Sequence, residues 1–302
     1  MTNNHSSRFK AILQALLVTF LWSTSFVIIK LGLDEIPPLT FAGLRYALAF
    51  LFLLPFVFHP KYLGDLKNIS GRGWVKLVIL GLLFYTFTQG AQFVGLSLLP
   101  AVTVSLLLNF TPLLVAIMGI FLLAEKPNFL QWSGIVVFLI GIGTYFYPTS
   151  LQGNQGLGLL IMTVGVLANS SSAVLGRHIN REARIHPIVV TLTSMGIGSF
   201  LLLIVGLLTQ GFPAIGVRNL LLLLWLAAIN TAFAFSLWNV TLRTLTAMES
   251  SIVNGTMLIQ IAILAWIFLG EQITSRQGLG MVLGAAGAVM AQMRSRRRTG
   301  RS

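Results

Sequence analysis

Leu123-Ala124-Glu125 returns 146 residues later as Leu269-Gly270-Glu271. The same offset pairs Gln131 with Gln277, Gly134 with Gly280 and Gly141 with Gly287. Further back it pairs Ala101 with Ala247, Ser105 with Ser251 and Ser25 with Ser171. One constant offset over most of the chain points to a duplicated unit.

Composition says what kind of unit it is. A soluble domain carries about a quarter charged residues, whereas this chain has 9%, with 56% hydrophobic. That leaves too little polar surface to cover a water-soluble globule, so lipid is the solvent for most of it. A spanning helix needs about 20 mostly apolar residues. Ten windows qualify: 10–33, 39–58, 74–97, 99–123, 128–147, 156–178, 186–209, 218–242, 247–269 and 275–293. Breaks fall at turn chemistry such as Pro37-Pro38, Pro100, Pro127 and Pro187. The predicted fold is an all-α membrane protein with ten transmembrane helices in two inverted five-helix repeats. Residues 10–147 form the first repeat, 156–293 the second, and 294–302 a basic cytoplasmic tail. An odd number of spans per copy turns the second copy upside down, an arrangement in which sites form near the midplane between the halves.

The net charge of +13 reads as topology. With the N-terminus inside, sixteen of the twenty Lys and Arg fall in cytoplasmic segments and three (Lys30, Arg218, Arg276) outside, while Arg45 lies within the second window. That bias places both termini in the cytoplasm of a bacterial inner membrane. The basic tail reads as a topology anchor that also touches anionic membrane lipids, with no nucleic-acid partner. Cysteine is absent, so disulfides and thiolate chemistry are excluded. The histidines have no metal-ligand spacing, and no Gly-rich nucleotide loop is present. Neither a metal nor any other cofactor is expected. Hydrolysis within the membrane would need His or acidic residues at depth, and none lies near a helix centre, so the chain does not read as an enzyme.

Mid-span amides are informative because each has two donors and two acceptors to satisfy. They are Gln89 and Gln92 in the third window, Asn109 in the fourth, Asn169 in the sixth, Asn230 and Asn239 in the eighth, and Asn254 and Gln260 in the ninth. The first window joins them through Trp22-Ser23-Thr24-Ser25, whose repeat mate is Ala168-Asn169-Ser170-Ser171. Polar groups in lipid tend to face a cavity or the protein interior. The candidate substrate-lining set is Trp22, Ser25, Tyr85, Gln89, Asn109, Asn169, Asn230, Trp238, Asn254 and Gln260. The alternative is that these groups hydrogen-bond between helices as packing contacts. Gating candidates are Pro112, as a bend point, and the pair Arg243 and Glu249 between the eighth and ninth windows. Glu125 and Glu271 sit just before the next helix, where a carboxylate caps free N–H groups. Arg45 is expected to snorkel outward or to pair with Asp34 or Glu35, ahead of contact with a substrate carboxylate. Gly134, Gly141, Gly143, Gly280 and Gly284 read as close helix packing, within the chain or between subunits. The acidic residues all lie near helix ends, which points to a facilitator, with proton antiport as the alternative.

The stretch Phe20-Leu21-Trp22-Ser23-Thr24-Ser25-Phe26 with Lys30, then Pro37-Pro38, Arg45, Asn109-Phe110-Thr111-Pro112 and Leu122-Leu123-Ala124-Glu125, resembles the EamA family of the drug/metabolite transporter superfamily. Phe268-Leu269-Gly270-Glu271 repeats the pattern, and the likeness covers nearly the whole chain. The resemblance implies ten helices in two inverted repeats, a cavity lined by helices 1, 3, 4, 6, 8 and 9, and efflux of amino acids and other metabolites. It implies a small-molecule substrate and a monomer or weak homodimer. The alternatives are a nucleotide-sugar or lipid-intermediate carrier, against which the scarcity of deep Lys and Arg argues, and a proton-coupled drug efflux protein. One departure is that Pro112 has Leu258 at its repeat position.

Overall fold

The computed structural model describes residues 2–58, 60–123, 128–147, 153–182, 185–242, 244–245 and 247–293. Glu125, Arg243 and the tail 294–302 lie outside the described residues, as does the side chain of Asn239. Among the described residues every regular element is a helix. A helix bonds its own backbone groups, which lipid cannot do for it.

In the first half α1 runs Thr2–Gly32, α2 Pro38–Leu53 and α3, a short connector, Pro60–Lys67. Then come α4 Gly71–Gly81, a π-helical segment Leu82–Thr88 and α5 Gln89–Leu98. α6 (Ala101–Leu108), α7 (Thr111–Leu123) and α8 (Phe129–Phe146) complete it. In the second half α9 is Gln155–Glu182 and α10 Pro187–Gln210. α11 is Val217–Ala227, followed by a π segment Ala228–Phe233 and α12 Ala234–Thr241. α13 is Ala247–Gly255, α14 Met257–Leu269 and α15 Ser275–Gln292.

The sequence repeat is a repeat of element boundaries. Elements start at 71 and 217, 82 and 228, 101 and 247, 111 and 257, and 129 and 275, each pair 146 apart. Several identities now have physical reasons. Gln131 and Gln277 are each the third helical residue of a capping box, closed by Asn128 on α8 and Thr274 on α15. Gly134, Gly141, Gly280 and Gly287 bring α8 and α15 to backbone contact. A Cβ on Gly141 would sit 2.5 Å from Gly284 N, and one on Gly287 2.3 Å from Phe138 N. The glycine stripe is therefore an intramolecular seam. Gly143 is not part of it, because a Cβ there meets nothing within 4 Å.

α8 lies along α15 and α2 along α10. Other contacts come in reciprocal sets: α1 on α12 and α9 on α5, α1 on α14 and α9 on α7, α2 on α11 and α10 on α4. The largest buried cluster, with Phe41, Phe93, Leu106, Met162 and Leu258, draws on both halves. Large apolar side chains such as Phe20, Leu139, Leu208 and Trp266 face outward, as lipid contact requires.

Eight helical stretches among the described residues are long and apolar enough to cross a membrane. They start at Arg8, Pro38, Gly71, Phe129, Gln155, Pro187, Val217 and Ile252. The other two of the ten expected windows look different in the structure. Window 99–123 is broken at Asn109-Phe110 into α6 and α7, and α15 carries Arg276, Gln277 and four glycines that lower its hydropathy.

Candidate functional site

Two local distortions shape the interior, and they occupy matching places in the repeat. In the π segments the backbone closes from residue i to i−5: Gln89 N–H donates to Phe84 O, and Ala234 N–H to Ile229 O. The carbonyls this widening frees are met by threonine hydroxyls. Thr88 Oγ1 donates to Leu83 O and Thr231 Oγ1 to Leu226 O, both at 2.8 Å. A π turn inserts a residue and re-aims the side chains around it, often at functional sites. Here it places Tyr85 and Gln89 in one half, and Asn230 and Thr231 in the other.

α1 runs through the middle and offers four consecutive residues to four neighbours. Trp22 stacks obliquely on Trp238 and Phe235, each at 5.3 Å between centroids. Ser23 donates to Gln260 Oε1 at 2.9 Å, and Gln260 Nε2 continues to Thr256 Oγ1 at 3.0 Å. Thr24 and Ser25 each accept from Asn230 Nδ2 at 3.0 Å. Ser25 also accepts from Arg45 Nη2 at 3.3 Å, and Arg45 Nε reaches Thr231 Oγ1 at 3.1 Å. Together these contacts make a polar seam between α1 and the second half.

The other predicted residues sit around this seam. Gln89 Oε1 accepts from Tyr46 OH at 2.6 Å, and Tyr85 packs edge-on against Tyr46 at 5.7 Å. Asn169 Nδ2 donates to Thr111 Oγ1 at 3.0 Å, which ties α9 to the start of α7 beside Pro112. Asn109 donates to Ser105 O of its own helix. Asn254 is exposed. Glu249 holds Arg8, with Nε to Oε1 at 2.7 Å. So Trp22, Trp238, Ser25, Asn230 and Gln260 come together, Gln89 and Tyr85 form a neighbouring group, and Asn109 and Asn254 stand apart. Arg45, Tyr46 and Thr231 were not in the predicted set. Arg45 does not pair with Asp34 or Glu35. Glu35 accepts from Asn219 Nδ2 instead, and Arg45 lies buried.

The seal at one end of the bundle corrects the reading of Glu271. This carboxylate does not cap the helix that follows it. It crosses to the first half and accepts from the backbone N–H groups of Ala101 (2.7 Å) and Val102 (3.3 Å) at the start of α6. Lys30 Nζ, at the end of α1, lies 3.8 Å from it. Gly270 makes the approach possible: its φ of 66° is left-handed and turns the chain sharply after α14. A cleft of about 210 Å³ opens beside this cap, between Pro100, Thr103, Tyr145, Gln155, Glu271 and Gln277. α6 packs on α14 there. The reciprocal pair, α7 and α13, has no comparable packing among the described residues, and each lies against α15. Among the described residues, which do not include Glu125, the two ends of the bundle are therefore packed unequally.

Pro112 is the second residue of α7, where its missing N–H is tolerated. Its mate Leu258 is the second residue of α14, after an equally placed break at Thr256. The second half thus breaks without a proline, next to Gly255, with Thr256 Oγ1 bonded back to Val253 O at 2.6 Å. Pro112→Ala removes the fixed φ and the ring that bar the chain from running straight from α6 into α7, so the joint can close into continuous helix at a gain of about 1 kcal/mol. Turnover should slow about fivefold with substrate affinity held. Weakened affinity at unchanged turnover would show that the break shapes the pocket and not the motion.

Comparison with known proteins places this architecture. The EamA-like transporter family matches residues 9–147 and again 156–293. The "Uncharacterized transporter YoaV" of Bacillus subtilis is 27% identical over 291 residues, covering 93% of this chain and 96% of its own. A "Probable amino-acid metabolite efflux pump" of Salmonella typhimurium is 28% identical, covering 90% of this chain and 91% of its own. An "S-adenosylmethionine/S-adenosylhomocysteine transporter" of Chlamydia muridarum is 23% identical, covering 86% and 85%. A solved crystal structure 19% identical in sequence superposes with a TM-score of 0.67 over 93% of this chain and 97% of that one, a likeness of fold alone. With the family matched once in each half, the chain belongs to the EamA-like transporter family and is a multi-pass membrane transporter of a small-molecule substrate, not an enzyme.

Proposed function

We propose that the protein exports amino acids or similar neutral or zwitterionic metabolites across a bacterial inner membrane by alternating access. Its ten crossings form two inverted five-helix repeats, with 10–147 and 156–293 as the two units and both termini in the cytoplasm. The observation that carries this reading is the unequal pair of ends. Among the described residues, Glu271 and α6–α14 packing close one end while α7 and α13 lack the reciprocal packing at the other, the form expected of one state in a two-state carrier. The polar seam from Trp22 to Ser25 lies between the halves, where such a motion would expose it by turns. Two relatives carry names that specify amino-acid metabolites and S-adenosylmethionine, and the second of these contains an α-amino acid group.

Same-side contacts support the crossing pattern. Arg8 with Glu249, Lys76 with Glu182 and His186 with Asp65 gather ends that the charge bias places inside. Lys30 with Glu271, Glu35 with Asn219 and Leu39 with Gln210 gather the others. The chain has no cysteine, so a single cysteine at Ser302 reports topology cleanly. In intact cells it should resist an impermeant maleimide and react only after lysis. Labelling before lysis would reverse the orientation.

The functional test is flux. Proteoliposomes preloaded with a mixture of the twenty amino acids should release a subset faster than protein-free vesicles, with no pH gradient or membrane potential applied. Release that matches empty vesicles for every amino acid contradicts the reading. Uphill movement driven by an imposed pH gradient would make the protein a proton antiporter, and Glu249 and Arg243 would be examined first.

A further inference from the structure

Among the described residues Arg45 is a buried cation without a counterion. It is 3% exposed, on α2, in the apolar interior of a membrane protein. Its two hydrogen-bond partners are the hydroxyls of Ser25 and Thr231. Neither neutralises charge, and Thr231 already donates its own proton to Leu226 O. The guanidinium carbon lies 5.1 Å from the Tyr46 ring centroid and 5.9 Å from that of Phe93. Among the described residues no carboxylate is within ion-pair distance of it. A buried charge left in that condition is strongly unfavourable unless something else completes it.

Next to it is the opposite deficit. Asn230 is fully buried, and its Nδ2 donates to Leu21 O, Thr24 Oγ1 and Ser25 Oγ. Leu21 O can only accept, which fixes the orientation of the amide. Asn230 Oδ1 then has no donor. The amide whose oxygen is orphaned and the unneutralised cation thus meet at one hydroxyl, that of Ser25, through Asn230 Nδ2 and Arg45 Nη2. A ligand that completes both carries an anion for Arg45 and a hydrogen-bond donor, best a cationic one, for Asn230. A free α-amino acid group supplies both as substituents of one carbon. The ring of Trp22, three residues back on α1, offers an apolar face for a side chain.

We propose that Arg45 anchors the carboxylate of the transported solute and that Asn230 Oδ1 receives its ammonium. The inference rests on the carrier reading above and narrows it to solutes with a free α-amino acid group. A purely structural Arg45, tying α1, α2 and the π segment together, would need only the two hydroxyl contacts. A neutral donor such as Gln could serve that role. The cluster is closed in this conformation, so ligand entry requires α1 and the π segment Ala228–Phe233 to part.

The test compares acid with amide. Thermal unfolding of the purified protein is followed with each of the twenty amino acids, each matching α-carboxamide and each N-acetyl derivative. At least one free amino acid should raise the wild-type Tm, while its carboxamide and N-acetyl forms should not. Arg45→Gln should weaken the response about ten- to a hundredfold in apparent affinity, and Arg45→Lys should weaken it less. Should Arg45→Gln fail to fold, the acid–amide comparison on wild-type protein decides alone. Equal response to acid and carboxamide, an unaltered response in folded Arg45→Gln, or no response to any free amino acid each overturns the assignment. Proteoliposome flux separates this failure from the broader one: a carboxamide carried as fast as its acid removes the anchor and leaves the carrier standing.

Discussion

Gly287→Val should abolish recovery of folded, monodisperse protein, while Gly143→Val should be silent. The two positions lie in the paired helices α15 and α8. At Gly287 an added Cβ meets Phe138 N at 2.3 Å and Gly134 O at 2.6 Å, all backbone that cannot swing aside. The helices must separate, because the close approach of α8 and α15 leaves no room for a side chain. Overpacking of a tight contact costs about 1–3 kcal/mol where side chains can adjust, and here none can. At Gly143 nothing lies within 4 Å, and its repeat mate, Val289, already carries the larger side chain. Size-exclusion profiles of the two variants after identical extraction make the comparison. A monodisperse Gly287→Val would show that the seam is looser than its geometry, and loss of Gly143→Val would show a contact beyond the chain.

Glu271→Gln should shift the carrier away from the state seen here. The carboxylate holds two N–H groups of α6 with full charge and lies near Lys30. Gln keeps one oxygen but loses the charge and the second acceptor. Hydrogen bonds to charged groups are worth about 1.5–3 kcal/mol each, and the partly exposed Lys30 contact adds little. Losing about 1–2 kcal/mol from one of two states changes their ratio about 5–30-fold. A cysteine at Thr103, buried beside the cap, should react with a maleimide faster by a comparable factor in the Glu271→Gln background. Glu271→Asp, one methylene shorter, should fall between. Unchanged reactivity would mean that α6–α14 packing seals this end without the carboxylate.

The sequence made the repeat and most helical stretches legible, because composition and turn residues act locally. Gln131 and Gln277 could be aligned from sequence, and the structure adds that each closes a capping box. The destination of Glu271 was not legible. Local capping rules look to the adjacent helix, whereas its partners Ala101 and Val102 lie some 170 residues away. The π segments also left no simple pattern, since a single extra residue per turn barely disturbs an apolar window. Pro112 drew attention as a bend point, yet the mate of its break at Thr256 carries no proline. For Arg45 the sequence points to snorkelling or to pairing with Asp34 or Glu35, ahead of a substrate carboxylate, whereas the side chain lies buried against Ser25 and Thr231. The amides do not gather at one place. Asn230 and Gln260 meet α1, Gln89 meets α2, and Asn109 bonds its own helix.

The most direct measurement follows both ends of the bundle at once. Spin-label pairs at Ser97 and Gln272, and at Phe129 and Thr244, use exposed positions at opposite ends of a chain that has no native cysteine. Double electron–electron resonance in lipid nanodiscs gives the distance distribution of each pair, with and without a transported amino acid. The account predicts two populations at each end that change in opposite directions, the Ser97–Gln272 distance lengthening as the Phe129–Thr244 distance shortens. Single unchanging distances at both ends, or ends that open and close together, would contradict alternating access.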